Sequence, residues 1–472
     1  MARLNAVFEH EQVLRMVKGR LIAKDKQFYK AVAAISVPIT LQSLITTGVN
    51  MMDTIMIGKI GQTQLSAVSL ANQFISVFQI FCMGIGMGAS VLVSRYYGMQ
   101  DRKSLKNTVV IMVRLCLALS AVFCLATFLL PRQIMLIYTD EEPIIKCGIN
   151  YLNWSVVTYF LLSLSLTCTI ILRNVGMVQI PLITSIAAFF INVGANYIFI
   201  FGKFGAPRME EAGAALGTLI ARIFEFCAIC GYLFLKDTRI NIRIKDLFGK
   251  VGKLWNEYIR ISIPVLISDG ILALGNNSVA MVVGRLGENF VAANAVTTVT
   301  QMLASVVIQG FSQAGCIITG KTLGEGDKEK AQEQGYAFLG LGLFFGLLAG
   351  GIVLLISQPM INAYNLLEET RHIASQLMLS ISMIIVFQAT NSIMTKGVLR
   401  GGGDTKILMV ADNLFLWVVS IPLGILAGLV LHLPAFWIYF CLKSDQVLKT
   451  IWCVIRLNSG KWIKKIKSDK EL

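Results

Sequence analysis

Twelve apolar runs, each long enough to cross a lipid bilayer, determine what this chain of 472 residues can fold into. A helix needs about 20 mainly apolar residues to span the hydrocarbon core. Within lipid, every backbone polar group must find its partner inside the protein, and runs of this length achieve that as α-helices. The runs cover residues 31–58, 71–93, 108–130, 148–172, 181–202, 213–235, 258–284, 290–318, 335–357, 373–395, 407–430 and 435–454. The sequence therefore predicts an all-α, polytopic membrane protein with twelve transmembrane helices.

The composition and the placement of basic residues support this interpretation. Charged residues make up 15% of the chain, against about 25% in soluble domains. The net charge of +15, taken alone, would also suit nucleic-acid binding. However, 33 of the 42 Lys and Arg residues lie in the segments 1–30, 94–107, 173–180, 236–260, 319–334, 396–406 and 443–472, and 7 lie in the connections on the other side. Because basic residues collect on the cytoplasmic side, we expect both termini in the cytoplasm, an inner-membrane location and no nucleic-acid partner.

The two halves of the chain repeat each other. Pro38 and Pro264 are 226 residues apart, and later the shift becomes 227, which relates Arg173 to Arg400. The shift of 226 also relates Gly58 to Gly284, Gly61 to Gly287, Ala67 to Ala293, Gly84 to Gly310, Gly98 to Gly324 and Asp101 to Asp327. Each half therefore holds six spans. Six is an even number, so both halves begin on the same side of the membrane, which predicts two six-helix bundles related by a pseudo-two-fold axis along the membrane normal.

This repeat predicts the domain organisation and a mode of action. We expect a cytoplasmic N-terminal segment (1–30), an N-terminal lobe (31–235), a basic cytoplasmic linker (236–257), a C-terminal lobe (258–454) and a basic cytoplasmic tail (455–472). Two bundles with a cavity that opens to either side of the membrane are typical of alternating-access transport.

Two glycine-containing patterns imitate phosphate-binding loops. Residues 315–322 match GxxxxGK[ST], but a loop of that kind follows a strand, and here a hydrophobic run precedes the pattern and continues into it. The Gly401–Asp404 stretch is interpreted as a tight turn between spans. The sequence also lacks HExxH and GxSxG motifs, so we expect no enzymatic activity and no cofactor.

The first apolar run carries a polar row that ends in an acid. Ser43, Thr46, Asn50 and Asp53 are spaced three, four and three residues apart and therefore lie on one face of a helix. An ionised carboxylate facing lipid costs about 3 kcal/mol or more. Asp53 must therefore face the protein interior or water, and an acid in that position is a candidate functional residue.

Two later runs bring polar side chains to the same depth as Asp53. Asn192 and Asn196 are four residues apart on one helical face, and Thr218 lies five residues after Gly213. A carboxylate surrounded by amide and hydroxyl oxygens suits a proton or a hard cation. We therefore expect a coupling ion, either a proton or sodium, at Asp53, Asn192, Asn196 and Thr218, and no other metal. Interhelical hydrogen bonding by the same side chains is the alternative.

The second half has acids of its own. Asp269 and Asp412 lie towards the inner ends of the seventh and eleventh runs and form a candidate second-lobe site for substrate or a proton. Asp269 aligns with Ser43 rather than with Asp53, so the halves differ chemically. Arg222 and Glu225, three apart on one predicted helix, are expected to neutralise each other.

Several stretches in this order resemble the MATE (multidrug and toxic compound extrusion) transporters of bacterial type. They are residues 52–58 (MDTIMIG), 84–89 (GIGMGA), Gly98, 191–202 (INVGANYIFIFG), 398–405 (VLRGGGDT) and the region around 443–445 (KSD). The resemblance implies a cation-coupled antiporter that exports amphipathic organic cations. It also implies a cation site in the N-terminal lobe that falls on Asp53, Asn192, Asn196 and Thr218. Some members carry aspartate where this chain has Asn196, which removes one negative charge and leaves proton and sodium coupling open.

We therefore expect a monomeric secondary transporter whose partners are drug-like small molecules and membrane lipids. A flippase for lipid-linked sugars, from the same broader superfamily, is the alternative. A flippase needs basic residues in its cavity to hold pyrophosphate, whereas Arg114 and Arg222 are the two Lys or Arg residues that lie inside the predicted spans and outside the basic segments counted above. An intramembrane enzyme and a sensory protein are weaker alternatives, because neither explains the polar row of the first run.

Overall fold

A computed structural model describes residues 25–249, 251–364 and 367–468 of the chain. These residues form helices and no strand. The helices of the first half are α1 (Lys26–Gly58), α2 (Gln62–Gly98), α3 (Arg102–Leu129), α4 (Pro131–Leu136), α5 (Glu142–Ser155), α6 (Thr158–Asn174), α7 (Gln179–Phe201) and α8 (Glu210–Gly231, prolonged by a π-helical turn over Tyr232–Lys236). A 3₁₀ helix over Ile244–Phe248 follows in the linker.

The second half repeats this order of helices. They are α9 (Leu254–Gly284), α10 (Glu288–Gly324), α11 (Lys328–Asn362), α12 (Glu368–Ser392, prolonged by a π-helical segment over Ile393–Leu399), α13 (Thr405–Leu414), α14 (Ile421–Ile425), α15 (Ala435–Leu442) and α16 (Ser444–Asn458). Two further π-helical segments, Phe415–Ser420 and Leu426–Val430, join α13 and α14 into one continuous helical stretch over 405–430.

The predicted spans correspond to these helices. Within the described part of the chain, ten helices are long and apolar enough to cross a membrane, and the pair α5 and α6, bent by 57°, makes an eleventh when it is counted as one span. The last predicted run is occupied by α15 and α16, which meet at Lys443. The all-α prediction with twelve membrane segments is therefore confirmed.

The described residues divide into two compact units. One contains Pro38–Leu266, and its core includes the fully buried Met135 and Leu152. The other contains Ile267–Ile466 together with the start of α1. There the ring of Phe28 packs edge-to-face against Phe338, with 5.2 Å between the ring centroids.

Both unit boundaries fall beside a proline inside a helix. The first lies between Val37 and Pro38, and the second two residues after Pro264. A proline removes one backbone hydrogen bond of the helix, and this is where a helix bends most readily. The start of α9 consequently packs in the first unit, where the Tyr258 hydroxyl donates a hydrogen bond of 2.8 Å to the carbonyl of Ile85.

The internal repeat extends to the helix caps. Helices α2 and α10 each have 37 residues and start 226 residues apart. Asp101 and Asp327 are the N-caps of α3 and α11, and their carboxylates accept backbone N–H bonds from Ser104 (3.2 Å) and Lys330 (2.9 Å). An N-cap acid satisfies a helix N–H group that has no partner within the helix. The predicted pairing of the two halves is therefore confirmed at the level of single hydrogen bonds.

Glycine pairs mark the places where helices approach each other closely. A Cβ atom added at Gly88 would lie 2.6 Å from the Cα atom of Ser262 in α9. One added at Gly346 would lie 2.8 Å from the Cα atom of Val386 in α12. Close packing, rather than any direct chemical role, explains these glycines.

The outward faces of several helices are apolar. On α3 and α11, large aliphatic and aromatic side chains are exposed, namely Val122, Leu125, Phe128, Leu347, Leu354 and Leu355. A soluble protein rarely exposes contiguous apolar surface of this kind. These faces are the ones that contact lipid.

The two patterns that imitate phosphate loops have the structures predicted for them. Residues 315–322 lie within α10, and Gly315 packs against the backbone of Gly397. The turn at 401–404 ends at Asp404, whose buried carboxylate receives two hydrogen bonds from Arg456, of 2.7 and 3.1 Å. Asp404 therefore fastens the last helix to this turn.

The side chain of Arg114 contacts the linker. Its guanidinium donates to the carbonyls of Leu247 (2.7 and 2.9 Å) and Gly249 (2.5 Å), and so holds the linker against α3. In the linker, the Asp246 carboxylate accepts the backbone N–H of Arg243 at 2.9 Å. This hydrogen bond, with the positive charges of Lys106 and Arg243, lowers the pKa of Asp246.

Candidate functional site

A cavity of ≈ 320 Å³ lies inside the Pro38–Leu266 unit. It is lined by α1, α2, α5, α6, α7 and α8, and its wall mixes apolar and polar side chains. The polar and charged lining residues are Thr46, Asn50, Asp53, Thr54, Ser69, Asn72, Ser76, Gln79, Tyr151, Ser155, Thr158, Ser185, Asn192, Thr218, Arg222 and Glu225. A concave, mostly preformed site with a few convergent polar groups is typical of small-molecule binding.

Asp53 is at one end of a hydrogen-bonded chain of side chains at the wall of this cavity. The side-chain amide of Asn196 donates to the Asp53 carboxylate at 2.5 Å and to the side-chain oxygen of Asn192 at 3.2 Å. The Asn192 amide in turn donates to the Thr218 hydroxyl at 3.5 Å. The structure thus brings together the four residues that the sequence predicts as the coupling-ion site.

The packing of α7 on α8 sets this geometry. Asn196 is fully buried, and its side-chain oxygen has no hydrogen-bond partner among the residues that the structure describes. A Cβ atom added at Gly217 would lie 2.1 Å from that oxygen, and one added at Gly213 would lie 2.5 Å from the Phe199 carbonyl oxygen. The two glycines therefore let α8 approach α7 closely enough for the amide of Asn196 to reach Asp53.

The rest of the polar row on α1 is only partly in the cavity. Thr46 and Asn50 line the wall together with Asp53, whereas Ser43 does not. The Ser43 carbonyl accepts a hydrogen bond from the Thr47 hydroxyl within the same helix. The helical spacing correctly places three of the four residues on the cavity side, and Ser43 is not among the lining residues.

A second charged group faces the same cavity. Arg222 and Glu225, both on α8, form an ion pair with 2.6 Å between Nη1 and Oε2. The expectation that they neutralise each other is confirmed. Asp53 and Glu225 are the two acids of the lining, and Arg222 is its one basic residue.

The MatE family profile matches residues 38–198 and 264–426, which is most of each half. The chain belongs to the MatE family. Relatives are similar over nearly the whole length. The probable multidrug resistance protein NorM of Thermotoga maritima is 24% identical over 439 residues, covering 92% of this chain and 93% of that protein. The multidrug resistance protein MdtK of Yersinia pseudotuberculosis is 24% identical over 452 residues, covering 92% and 96%.

Solved structures show the same MatE architecture. A MOP superfamily transporter from Pyrococcus furiosus superposes with a TM-score of 0.81 at 20% identity, over 93% of this chain and 99% of that chain. A crystal structure of MATE in complex with MaD3S gives a TM-score of 0.83 at 19% identity, with the same coverage. The predicted family and the two-bundle, twelve-helix fold are confirmed.

In the second lobe of this MatE protein, each candidate acid has a basic partner. Asp269 accepts a bond of 3.2 Å from the buried guanidinium of Arg400. Asp412 lies 3.7 Å from the ammonium of Lys449, which also contacts Asp445 at 3.0 Å. A substrate or proton site at Asp269 and Asp412 stays a prediction, and the structure adds that both acids hold buried cations.

The assignment of basic residues to the spans was incomplete. Arg95, Arg173, Arg400 and Lys449 are also buried within helices. Arg95, Arg173 and Arg400 follow the ends of apolar runs, whereas Lys449 lies inside the last run. None of these four cations is among the described residues that line the cavity, whereas the partly exposed Arg222 lines it and is paired with Glu225.

The structure also shows a buried chain of side chains that the sequence did not indicate. Arg173 donates to the Gln42 oxygen at 2.6 Å, and the Gln42 amide donates to the hydroxyl of Ser185 in the cavity wall at 2.8 Å. The repeat offered a signal for it, because Arg173 corresponds to Arg400. In the second lobe Asp269 does for Arg400 what Gln42 does for Arg173, so Asp269 is the counterpart of Gln42 in function rather than of Ser43.

Proposed function

We propose that this protein is a secondary active multidrug exporter, which moves amphipathic organic cations out of the cell in exchange for protons or sodium by alternating access. The observation that supports it best is the carboxylate of Asp53, which lies in a membrane-embedded cavity where its neighbouring hydrogen-bond partner is the neutral amide of Asn196. An acid in such a place needs a cation to compensate its charge. The names of the relatives as multidrug resistance proteins agree with this proposal.

Exchange follows when one carboxylate serves two cations in turn. The coupling ion and the organic cation both neutralise Asp53, and the cavity holds them there one at a time. A ligand shifts the balance between outward-open and inward-open states by its difference in affinity for the two. Mutual exclusion at Asp53 therefore links the downhill movement of the ion to the uphill movement of the drug.

The side chains around Asp53 suit either coupling ion. Carboxylate, amide and hydroxyl oxygens are hard ligands of the kind that hard cations prefer. The cluster of Asp53, Asn192, Asn196 and Thr218 offers such oxygens from three helices. A proton on Asp53 needs an acceptor instead, and an amide provides one through its oxygen.

The proposal includes the setting of the protein. It places the chain in the inner membrane with both termini in the cytoplasm, acting as a monomer without cofactor or catalytic step. A lipid-linked-sugar flippase needs free basic residues in its cavity, and the one basic lining residue, Arg222, is paired with Glu225. Export of cations is therefore the better-supported function.

The decisive experiment is transport by purified protein in proteoliposomes, with a proton gradient or a sodium gradient imposed separately and ethidium as the substrate. We expect one gradient to drive ethidium exchange and Asp53→Asn to abolish it, because the amide cannot bind either cation by charge. Asp140→Asn is the matched control, since Asp140 is exposed between α4 and α5. Full exchange by the Asp53→Asn protein, or no exchange by the unmodified protein under either gradient, would contradict the proposal.

A further inference from the structure

Three described residues in the cavity wall can carry a charge, and the two acids among them have different partners. Asp53 on α1 is bonded to an amide, whereas Glu225 on α8 is bonded to Arg222. The side chains of Arg222 and Glu225 are 24% and 12% exposed, so the pair is largely withdrawn from bulk water. With Asp53 ionised, the lining carries a net charge of −1.

Arg222 lines the same cavity as Asp53. A guanidinium is always charged, and in a cavity shielded from bulk water it needs hydrogen-bond acceptors, of which a carboxylate also compensates its charge. Two carboxylates of the cavity compete for this one side chain. In the structure Glu225 holds it, and within the described part of the chain Asp53 forms no ion pair.

A second arginine of this unit is held elsewhere. The guanidinium of Arg173 is hydrogen-bonded to the Gln42 oxygen. Arg173 is also buried and lies outside the cavity lining. Of the two arginines, Arg222 is therefore the one whose partner decides the charge that a substrate meets.

We propose that Glu225 is a positioning residue which restrains Arg222, an internal cation of the cavity, and thereby keeps Asp53 open for exchange and sets the cavity's selectivity for singly charged cations. This inference rests on the proposed export function and adds to it. Without Glu225, Arg222 would turn to Asp53 and occupy the site as a permanently bound cation. Without Arg222, the two acids together would present a charge of −2 and favour doubly charged substrates.

The test measures binding of ethidium, a monocation, and propidium, a dication of the same ring system, to purified protein. Glu225→Gln is expected to weaken ethidium binding by about tenfold or more, as for loss of an ion pair in a shielded site. The double variant R222A/E225Q removes the competing guanidinium and is expected to recover most of that loss. Recovery after the second substitution would show that Arg222 had captured Asp53, since a second substitution would not repair a damaged helix.

Arg222→Ala supplies a second measurement that does not depend on the folding of the Glu225 variant. We expect it to raise the affinity for propidium relative to ethidium by about tenfold, because the cavity gains one uncompensated negative charge. The unmodified protein and Asp53→Asn are measured in parallel.

The outcomes separate this inference from the export proposal. Ethidium binding by Glu225→Gln equal to that of the unmodified protein would overturn the inference, as would a double variant no better than Glu225→Gln or an unchanged ratio of the two dyes in Arg222→Ala. In each of these cases the export proposal survives, provided that the unmodified protein binds ethidium and Asp53→Asn does not. Failure of the unmodified protein to bind either dye would instead contradict the export proposal itself.

Discussion

Asn196 reaches Asp53 because position 217 has no side chain. A Cβ atom added at residue 217 would lie 2.1 Å from the side-chain oxygen of Asn196. It would also lie 3.0 Å from the Asn196 backbone nitrogen. No real Cβ contact is that short, so any larger residue at 217 forces α7 or the amide to move. The hydrogen bond from Asn196 to Asp53 thus depends on the absence of a side chain at position 217 of the neighbouring helix.

Gly217→Ala is therefore expected to impair the site without unfolding the protein. Alanine is the better helix former by about 0.5–1 kcal/mol, which offsets part of the clash. We expect ethidium efflux to fall by about tenfold or more, since displacements of about 1 Å at a site have effects of up to 10²-fold. Efflux in cells and the melting temperature of the purified protein are the measurements.

Gly194→Ala on α7 is the control for this variant. Gly194 lies between Asn192 and Asn196 in sequence, but a Cβ atom there meets nothing within 4 Å. It should leave efflux as it is in the unmodified protein. Equal efflux by the two variants would show that the close approach at Gly217 is not needed for transport.

The sequence predicted much of this site and missed its support. The spacing of Asn192 and Asn196 and the position of Asp53 on the first run are regular helical patterns, so their common face could be deduced. The contribution of Gly217 could not, because a pair of glycines four apart indicates close packing without naming the neighbour. Distances between helices come from tertiary packing, which the local pattern of one helix does not contain.

At the scale of helices, the two lobes solve the same problem with different side chains. A buried arginine near the end of the fourth span of each half needs an acceptor from the first helix of that half. Gln42 provides a neutral oxygen for Arg173 at 2.6 Å, and Asp269 provides a carboxylate for Arg400 at 3.2 Å. An arginine of this kind, left without its partner, is strongly unfavourable.

This comparison predicts that glutamine can replace Asp269. Asp269→Gln copies the partner that the first lobe uses and should keep the melting temperature close to that of the unmodified protein. Asp269→Leu removes the acceptor and should lower stability by about 1–3 kcal/mol, the cost of an unsatisfied buried polar group. Thermal unfolding of purified protein measures both.

Efflux by Asp269→Gln then decides the sequence-based prediction of a second-lobe site. If Asp269 binds a proton or a substrate, the folded glutamine variant loses transport. If Asp269 only holds Arg400, transport continues. A low melting temperature for Asp269→Gln would contradict the correspondence between Gln42 and Asp269.

The helices were easier to predict than the charges between them. Apolar length located all twelve segments, and the repeat paired the N-caps Asp101 and Asp327. Buried ion pairs such as Lys449 with Asp412 and Asp445 were not predicted, although all three residues lie inside apolar runs, because hydropathy does not indicate which charged side chains meet. Hydropathy measures how a residue behaves alone, whereas a charge is buried when a partner from a distant part of the chain compensates it.

At the scale of the whole molecule, the two lobes share a fold and differ in electrostatics. In the first lobe, Asp53 has a neutral hydrogen-bond partner and faces a cavity. In the second, Asp269 and Asp412 are each bonded to or near a basic residue. An acid that already has a counter-ion has little need of a transported one. The inequality of the lobes therefore favours the first as the place where cations are exchanged.

The direction of export depends on the orientation of the chain, which the basic residues predict. With 33 Lys and Arg residues on one side and 7 on the other, the linker should be cytoplasmic and the α4–α5 connection external.

Asp140→Cys and Lys245→Cys place one new exposed thiol in each of these segments. A membrane-impermeant maleimide should label Asp140→Cys in intact cells, and Lys245→Cys only after permeabilisation. The unmodified protein gives the background from native thiols, of which Cys227 is the exposed one within the described part of the chain. The opposite labelling would show that the chain has the inverse orientation in the membrane. The Gly58 end of α1, near which Asp53 lies, would then face the cytoplasm. That orientation is incompatible with loading the coupling ion from outside.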